Sequence, residues 1–204
     1  MIPTAETYIR IAVEGASDEE MARKLMRHAG LTVSHVLVKK GSGELDKVIP
    51  RLAKTTVNDP WVVFRDADTA CPVELRRQLI GDRPHDGAFE LRFPTSMTEA
   101  WFLADAIGFA AHFRITRGRI PAVPDDLEHA KRSLLGLCQQ SKSRALREDV
   151  VRPSGRPGPL YVLRMNEFAK MSWDIERASE HSPSLRRTVN RLSEMRSLLT
   201  SGYS

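Results

Sequence analysis

The sequence predicts an α/β fold built on a mostly parallel four-stranded sheet flanked by helices, with a helical C-terminal extension. Three observations carry that expectation. Four short β-rich apolar runs recur in the first 110 residues: Tyr8–Val13, Thr32–Val38, Trp61–Phe64 and 88–93. Segments with helical spacing or helix-start signals separate them, and a strand–helix alternation of this kind needs crossover connections between parallel strands. The first and third runs also end in acid, as Val13-Glu14-Gly15 and Phe64-Arg65-Asp66-Ala67-Asp68. The carboxyl ends of strands are where open parallel sheets place their sites.

Each element has its own local reason. After Tyr8–Val13, Ser17 with Glu20 three residues later is a capping-box pattern. It opens a helix that carries Met21, Leu25 and Met26 on one side and stops at Gly30. Val33, Val36, Leu37 and Val38 make 32–38 a strand. Gly41-Ser42-Gly43 reads as a loop, and Leu45, Val48, Ile49 and Leu52 recur at helical spacing to give one helix. Trp61–Phe64 is apolar throughout and reads as a buried strand, and Pro72 opens a helix through Leu79. The fourth strand is ended by Pro94, and Thr95 or Ser96 precedes a helix containing Met97, Trp101, Phe102 and Leu103. Trp101 and Phe102 read as core residues.

The pattern changes near Gly118. Ile120-Pro121-Ala122-Val123-Pro124 is a break, 128–137 a helix, and 152–159 a stiff stretch of Arg, Pro, Ser and Gly. From 165 to 199 the chain reads as two helices separated near His181-Ser182-Pro183. The expected division is 1–118 for the α/β catalytic part and 119–204 for a basic helical extension, which can pack as part of one domain. The charge follows the same division. Residues 1–109 hold 14 basic against 16 acidic side chains, and 110–204 hold 17 against 10. A slightly acidic half beside a basic half suits an enzyme acting on nucleic acid. The candidate phosphate contacts are Arg186, Arg187 and Arg191 near the end, with Arg144, Arg147, Arg152 and Arg156 around the Pro/Gly stretch. Lys39, Lys40, Arg65 and Arg92 stand near strand ends.

Several classes are excluded. No apolar run approaches the roughly 20 residues that span a bilayer, and residues 1–6 lack a basic stretch followed by an apolar one, so neither a membrane span nor a secretory signal is expected. The two cysteines, Cys71 and Cys138, form no metal spacing and read as reduced thiols in a cytoplasm. The six histidines are scattered without any ligand motif. Neither Gly-rich nucleotide loop, G-x-G-x-x-G or G-x-x-x-x-G-K-[ST], occurs.

What remains is the acids. Residues two apart in an extended segment share a side, so Asp66 and Asp68 can face one ion. Glu14 ends the neighbouring strand, and Gly15 lets the chain turn sharply beside it. Asp18 falls in the first turn of the next helix, and Glu99 opens the helix after the fourth strand. Carboxylates gathered at one sheet edge repel one another unless a cation neutralises them. An oxygen-only set suits Mg²⁺ or Mn²⁺. The expected metal ligands are Glu14, Asp18, Asp66, Asp68 and Glu99, with Glu14, Asp66 and Asp68 the catalytic set. Ordinary capping is the alternative for Asp18 and Glu99.

Together, Val13-Glu14-Gly15-Ala16-Ser17-Asp18, then Asp66-Ala67-Asp68 with Cys71-Pro72, then 97–105 resemble the Toprim fold. That fold is found in topoisomerases, primases, small RNA-maturation nucleases and overcoming-lysogenization-defect nucleases. The detail is most similar to the small stand-alone Toprim-like proteins known as the DUF4276 family. The resemblance covers roughly residues 7–110, and 168–192 more loosely. It implies a Mg²⁺-dependent nuclease in which Glu14, Asp66 and Asp68 hold one or two ions and Asp18 helps with the second. It also implies a place in phage defence beside an ABC-type ATPase, which would be a separate protein because this chain has no Walker motif. One alternative is a non-catalytic Toprim-like scaffold or regulator of such an ATPase. A less favoured one comes from Asp66-Ala67-Asp68-Thr69, which is similar to the signature of haloacid-dehalogenase-type phosphatases. That family carries the motif on its first strand; here it follows the third.

Overall fold

A computed structural model describes residues 7–68, 70–84 and 87–201. Thr69 of the phosphatase-like signature and the N-terminal residues 1–6 lie outside them.

Four strands form one sheet: β1 (Tyr8–Val13), β2 (Thr32–Val38), β3 (Trp61–Phe64) and β4 (Phe89–Arg92). Their order is β2-β1-β3-β4, and every neighbouring pair is parallel. The α/β class and the parallel sheet are therefore as the sequence predicts. Between the strands run α1 (Glu19–His28), α2 (Ser42–Asp46), α3 (Ile49–Leu52) and α4 (Pro72–Ile80). After β4 come α5 (Thr98–Ala104), α6 (Ala106–His112), α7 (Ala130–Cys138), α8 (Arg144–Val150), α9 (Tyr161–Met171), α10 (Ile175–His181) and α11 (Pro183–Ser201).

The strand period of two sorts the core into two layers. Ile9, Ile11 and Val13 of β1, with Val62 and Phe64 of β3, face α1, α5–α7 and α9–α11. Ala12, Trp61, Val63, Phe89 and Leu91 face the other way, onto Leu45, Ile49 and Leu52 of α2 and α3. Leu75, Leu79 and Ile80 of α4 close that side. The larger layer joins residues from Ile9 to Leu199, so 119–201 and the sheet share one core across residue 118. Trp101 and Phe102 are fully buried in it, as their pattern predicts. The indole of Trp101 donates to Ser184 Oγ at 2.7 Å, and that of Trp173 to the Trp101 carbonyl at 3.1 Å.

The structure departs from the sequence reading at element ends. The turn before α1 is a 3₁₀ segment, Ala16–Asp18, so the helix begins at Glu19. The capping bond runs from the Gly15 N–H to Asp18 Oδ2 at 2.9 Å, not between Ser17 and Glu20. Gly41, at φ 101°, starts α2 where a loop is expected. Pro50 sits in the first turn of α3, where its missing N–H costs nothing, and it divides the expected single helix in two. The closing region holds three helices, because the chain breaks at Ser172–Asp174 as well as before Pro183. Among the described residues no helix is long and apolar enough to cross a membrane.

One buried ion pair anchors the helical half. Asp105 is fully buried and caps α6 by accepting the Gly108 N–H at 3.0 Å. It also accepts the Asp174 N–H at 2.8 Å and both Nε and Nη2 of Arg177, at 3.0 and 3.1 Å. A buried carboxylate needs this many donors to offset lost hydration.

Candidate functional site

The carboxyl edge of the sheet gathers four of the expected acids. Val13 and Phe64 are register partners on β1 and β3, so Glu14 and Asp66 follow them on adjacent strands. The Asp66 N–H donates to Glu14 Oε2 at 3.3 Å. Asp66 Oδ1 accepts the backbone N–H of Thr98 at 2.9 Å and the Thr98 hydroxyl at 3.2 Å. The start of α5 thereby holds Asp66, and the next residue along that helix is Glu99. Asp18, in the turn after Gly15, completes the group.

The electrostatics show that these acids sense one another. Burial pushes the Asp66 carboxyl well above the usual range, and the charges of Asp18, Glu99 and Glu14 push it further. Burial and then Glu99 raise Asp18 to about 7, against the pull of Lys131 and the Gly15 N–H. Burial and then Asp68 raise Glu14. Such a cluster holds its charge only if cations or protons balance it.

Two balancing groups come from the helical half, and sequence reasoning missed both. Lys131 of α7 reaches Glu99 Oε1 at 3.2 Å. Burial works against the Lys131 charge, but the Glu99 charge and hydrogen bond, with the charges of Asp18 and Asp66, together raise its pKa. The Tyr161 hydroxyl, at the start of α9, donates to Glu99 Oε1 at 2.6 Å. Burial and then the Glu99 charge lift its pKa well above the usual value. The Lys131 ammonium also stands 5.2 Å from the centroid of the Tyr161 ring. Asn166 of α9 stitches the same corner, accepting the Glu20 N–H at 3.2 Å and donating to the Ala16 carbonyl at 2.9 Å. A lone Lys, Tyr or Asn in an amphipathic helix carries no signal of such a role.

Asp68 carries a pairing that the sequence does not announce. The Ala67 and Asp68 N–H groups continue the ladder to the Pro94 and Ser96 carbonyls. Asp68 itself adopts φ 49°, a left-handed conformation uncommon for a residue other than glycine. Its charge is still the strongest carboxylate influence on Glu14. Asp68 Oδ2 pairs with Arg65 Nη1 at 3.1 Å. Arg65, named above as a possible phosphate contact, is committed within the fold: it bridges Asp46 at 3.2 Å through both Nε and Nη2, and it donates to the Asp66 carbonyl.

The chemistry of the donor set fits a hard divalent cation: every candidate ligand is a carboxylate, and Asp18 and Asp66 are buried beside like charges. Among the described residues, however, no group of three or more His, Cys, Asp or Glu side chains stands in coordination geometry.

The three expected phosphate contacts lie on α11, and among the described residues none of them bonds to these acids: Arg186 and Arg191 are paired elsewhere. Arg186 Nη1 donates to the Ser179 carbonyl at 3.2 Å, and Arg191 Nη1 pairs with Glu194 at 2.6 Å. Arg187 and Arg191 line a groove shared with α4 and β4. Comparison with family models, curated proteins and solved structures gives no match to this chain.

Proposed function

We propose that the chain is a Toprim-like nuclease that hydrolyses phosphodiester bonds in DNA or RNA with Mg²⁺ or Mn²⁺. The observation that carries this reading is the group Glu14, Asp18, Asp66 and Glu99 at the carboxyl edge of a parallel sheet, with Asp18 and Glu99 buried and the other two half-buried. Burial and then the charges of their neighbours raise the pKa of Asp18 and Asp66, and a divalent ion would relieve the repulsion. Glu14, Asp18, Asp66 and Glu99 are the residues that would hold the ion, with Asp68 joining only on release from Arg65. When bound, the ion supplies a water of lowered pKa and neutralises charge on the phosphate.

The chain's own groups have separate tasks. Thr98 fixes the Asp66 carboxylate through two hydrogen bonds. Tyr161 and Lys131 orient Glu99 and balance part of its charge. The arginines of 119–204 would hold the nucleic-acid backbone. The test is cleavage of a supercoiled plasmid and of labelled DNA and RNA oligonucleotides with Mg²⁺ or Mn²⁺, by wild type and Asp66→Asn. Cleavage abolished by the substitution supports the reading; no cleavage of any of them, alone or with a partner ATPase, removes it.

A second reading is a non-catalytic scaffold that docks a separately encoded ABC-type ATPase, in phage defence or another setting. The observation favouring it is the Arg65 pair that takes up Oδ2 of Asp68, one of the expected catalytic acids.

A further inference from the structure

A groove of about 470 Å³ opens where α4, β4 and α11 meet. Strand β4 is the outer strand of the sheet, so the groove lies at the sheet's β4 side. Five arginines from three elements line it: Arg76 and Arg77 of α4, Arg92 of β4, and Arg187 and Arg191 of α11. The acids lining it are Asp82 and Glu194. Asp82 stands 3.9 Å from Arg77, and Glu194 pairs with Arg191 at 2.6 Å. Arg92 has Glu90 at 3.6 Å. Among the described residues, Arg76 and Arg187 have no carboxylate partner.

Positive charge is in excess here, and part of it is poorly solvated. Arg92 is mostly buried, and its Nε has no hydrogen-bond partner among the described residues; the same holds for Nε of Arg76. An unsatisfied buried guanidinium N–H is unfavourable, and an oxyanion ligand would satisfy it. Burial lowers the Arg92 pKa, and the charges of Arg191 and Arg187 lower it further against the pull of Glu90. Cations that repel one another across a groove mark a place for an anion, as acids that repel one another mark a place for a cation.

We propose that this groove binds phosphate groups of a nucleic-acid strand, with Arg92, Arg187 and Arg191 forming the fork and Arg76 flanking it. Guanidinium forks match phosphate oxygens in pairs, and approach from three elements suits a tetrahedral group better than a planar carboxylate. Register adds direction: Arg92 pairs with Phe64, two residues before Asp66, so the groove opens at the same end of the sheet as the acidic cluster. The inference rests on the nuclease reading only for the source of the phosphate; the groove itself needs no metal.

The experiment is binding in EDTA, where no cleavage occurs. Anisotropy of a labelled single-stranded oligonucleotide is followed across a salt series. Competition with inorganic phosphate and with a nucleoside monophosphate identifies the source. Wild type is compared with Arg187→Gln/Arg191→Gln, on the surface of α11, and with Arg92→Gln. Because Arg92 is partly buried and paired, circular dichroism checks the fold, and the α11 variant alone decides if Arg92→Gln unfolds. Loss of two phosphate contacts should flatten the log–log salt slope by about 1.4 for a single strand and weaken binding about tenfold or more at low salt. Oligonucleotide binding that falls in the variants and resists millimolar phosphate supports the groove with a strand as ligand. Tight monophosphate or phosphate binding that falls in the variants supports it with a free phosphate as ligand. Affinity unchanged in the α11 variant, or no binding of any probe, overturns it. Mn²⁺ calorimetry on the α11 variant, which leaves the acids untouched, should match wild type, so failure of the metal reading would show separately.

Discussion

The Tyr161 hydroxyl donates to Glu99 Oε1 at 2.6 Å, joining the first residue of α9 to the second residue of α5 within the acidic cluster. Lys131 shares the same carboxylate oxygen. The acids of the N-terminal half are therefore oriented and partly neutralised by the helical half. Tyr161→Phe should keep the ring packing and remove one buried donor, costing about 1 to 2 kcal/mol in urea unfolding. Lys131→Met should raise the pKa of Asp18 further, because Lys131 opposes that rise. Carboxylate chemical shifts across a pH titration would read this; an unmoved Asp18 titration would separate Lys131 from the cluster.

Asp18 supplies a pH prediction. Its carboxyl is raised from 3.8 to about 7 in the fold, so the folded chain binds a proton there that the unfolded chain has lost. Stability from this group is present at acidic pH and drains away as pH rises from about 4 toward 7. Metal-free protein should be more stable near pH 5 than near pH 7.5, and Asp18→Asn should flatten the difference by about 1 to 3 kcal/mol. Urea unfolding at a series of pH values in EDTA checks it. A parallel profile in the variant would assign the dependence elsewhere.

Asp66→Asn combined with Asp68→Asn should abolish Mn²⁺ binding in calorimetry while the fold survives. The two single variants are more telling. Asp66→Asn should lose most of the affinity, whereas Asp68→Asn should lose less, because Asp68 is already paired with Arg65. Equal losses would mean that Asp68 leaves Arg65 to meet the ion.

The phosphatase alternative makes an opposite prediction. A haloacid-dehalogenase site would hydrolyse small phosphate monoesters and form a phosphoaspartate at Asp66. The Asp66 carboxylate is held instead by Thr98 and Glu14 is its neighbour, so nucleic-acid cleavage without monoester turnover is expected. Brisk monoester release without nuclease activity would reverse the choice.

Gly108 lies where α6 begins over Asp105. A Cβ there would collide with the Asp105 carboxylate and stand 2.9 Å from the Ser172 carbonyl. Gly108→Ala should displace Asp105 from Arg177 and destabilise, by less than the roughly 3 to 5 kcal/mol of a pair buried on both sides because Arg177 is half-exposed. A thermal shift of less than a few degrees would show that Arg177 follows the carboxylate.

The strands were legible in the sequence because they are short, apolar and β-branched, and the sheet edge because Glu14 and Asp66 punctuate two of them. Helix boundaries were less so. Pro50 reads equally well inside a helical run and at a new helix start, and only the packing of Leu45 and Ile49 decides. The D-x-D pair was legible as two acids two residues apart, but the left-handed turn at Asp68 was not, because alternation assumes an extended chain. Lys131 and Tyr161 were invisible because each is unremarkable in its own segment; Arg92 and Arg187 stood out singly, but their meeting with Arg76 did not. Their meaning comes from residues tens of positions away.

The shared core across residue 118 bears on how the molecule is made. During synthesis the strands and their acids emerge first with α1, α5 and α6, while Lys131, Tyr161 and the α7 and α9–α11 share of the core are still to come. Until then one sheet face is only partly covered and the acids lack their ammonium and phenol. Docking of the last helices would therefore be the step that both closes the core and readies the acidic edge. A fragment ending at 118 should aggregate instead of folding, so the latent chemistry of this edge would be withheld until the whole chain has arrived.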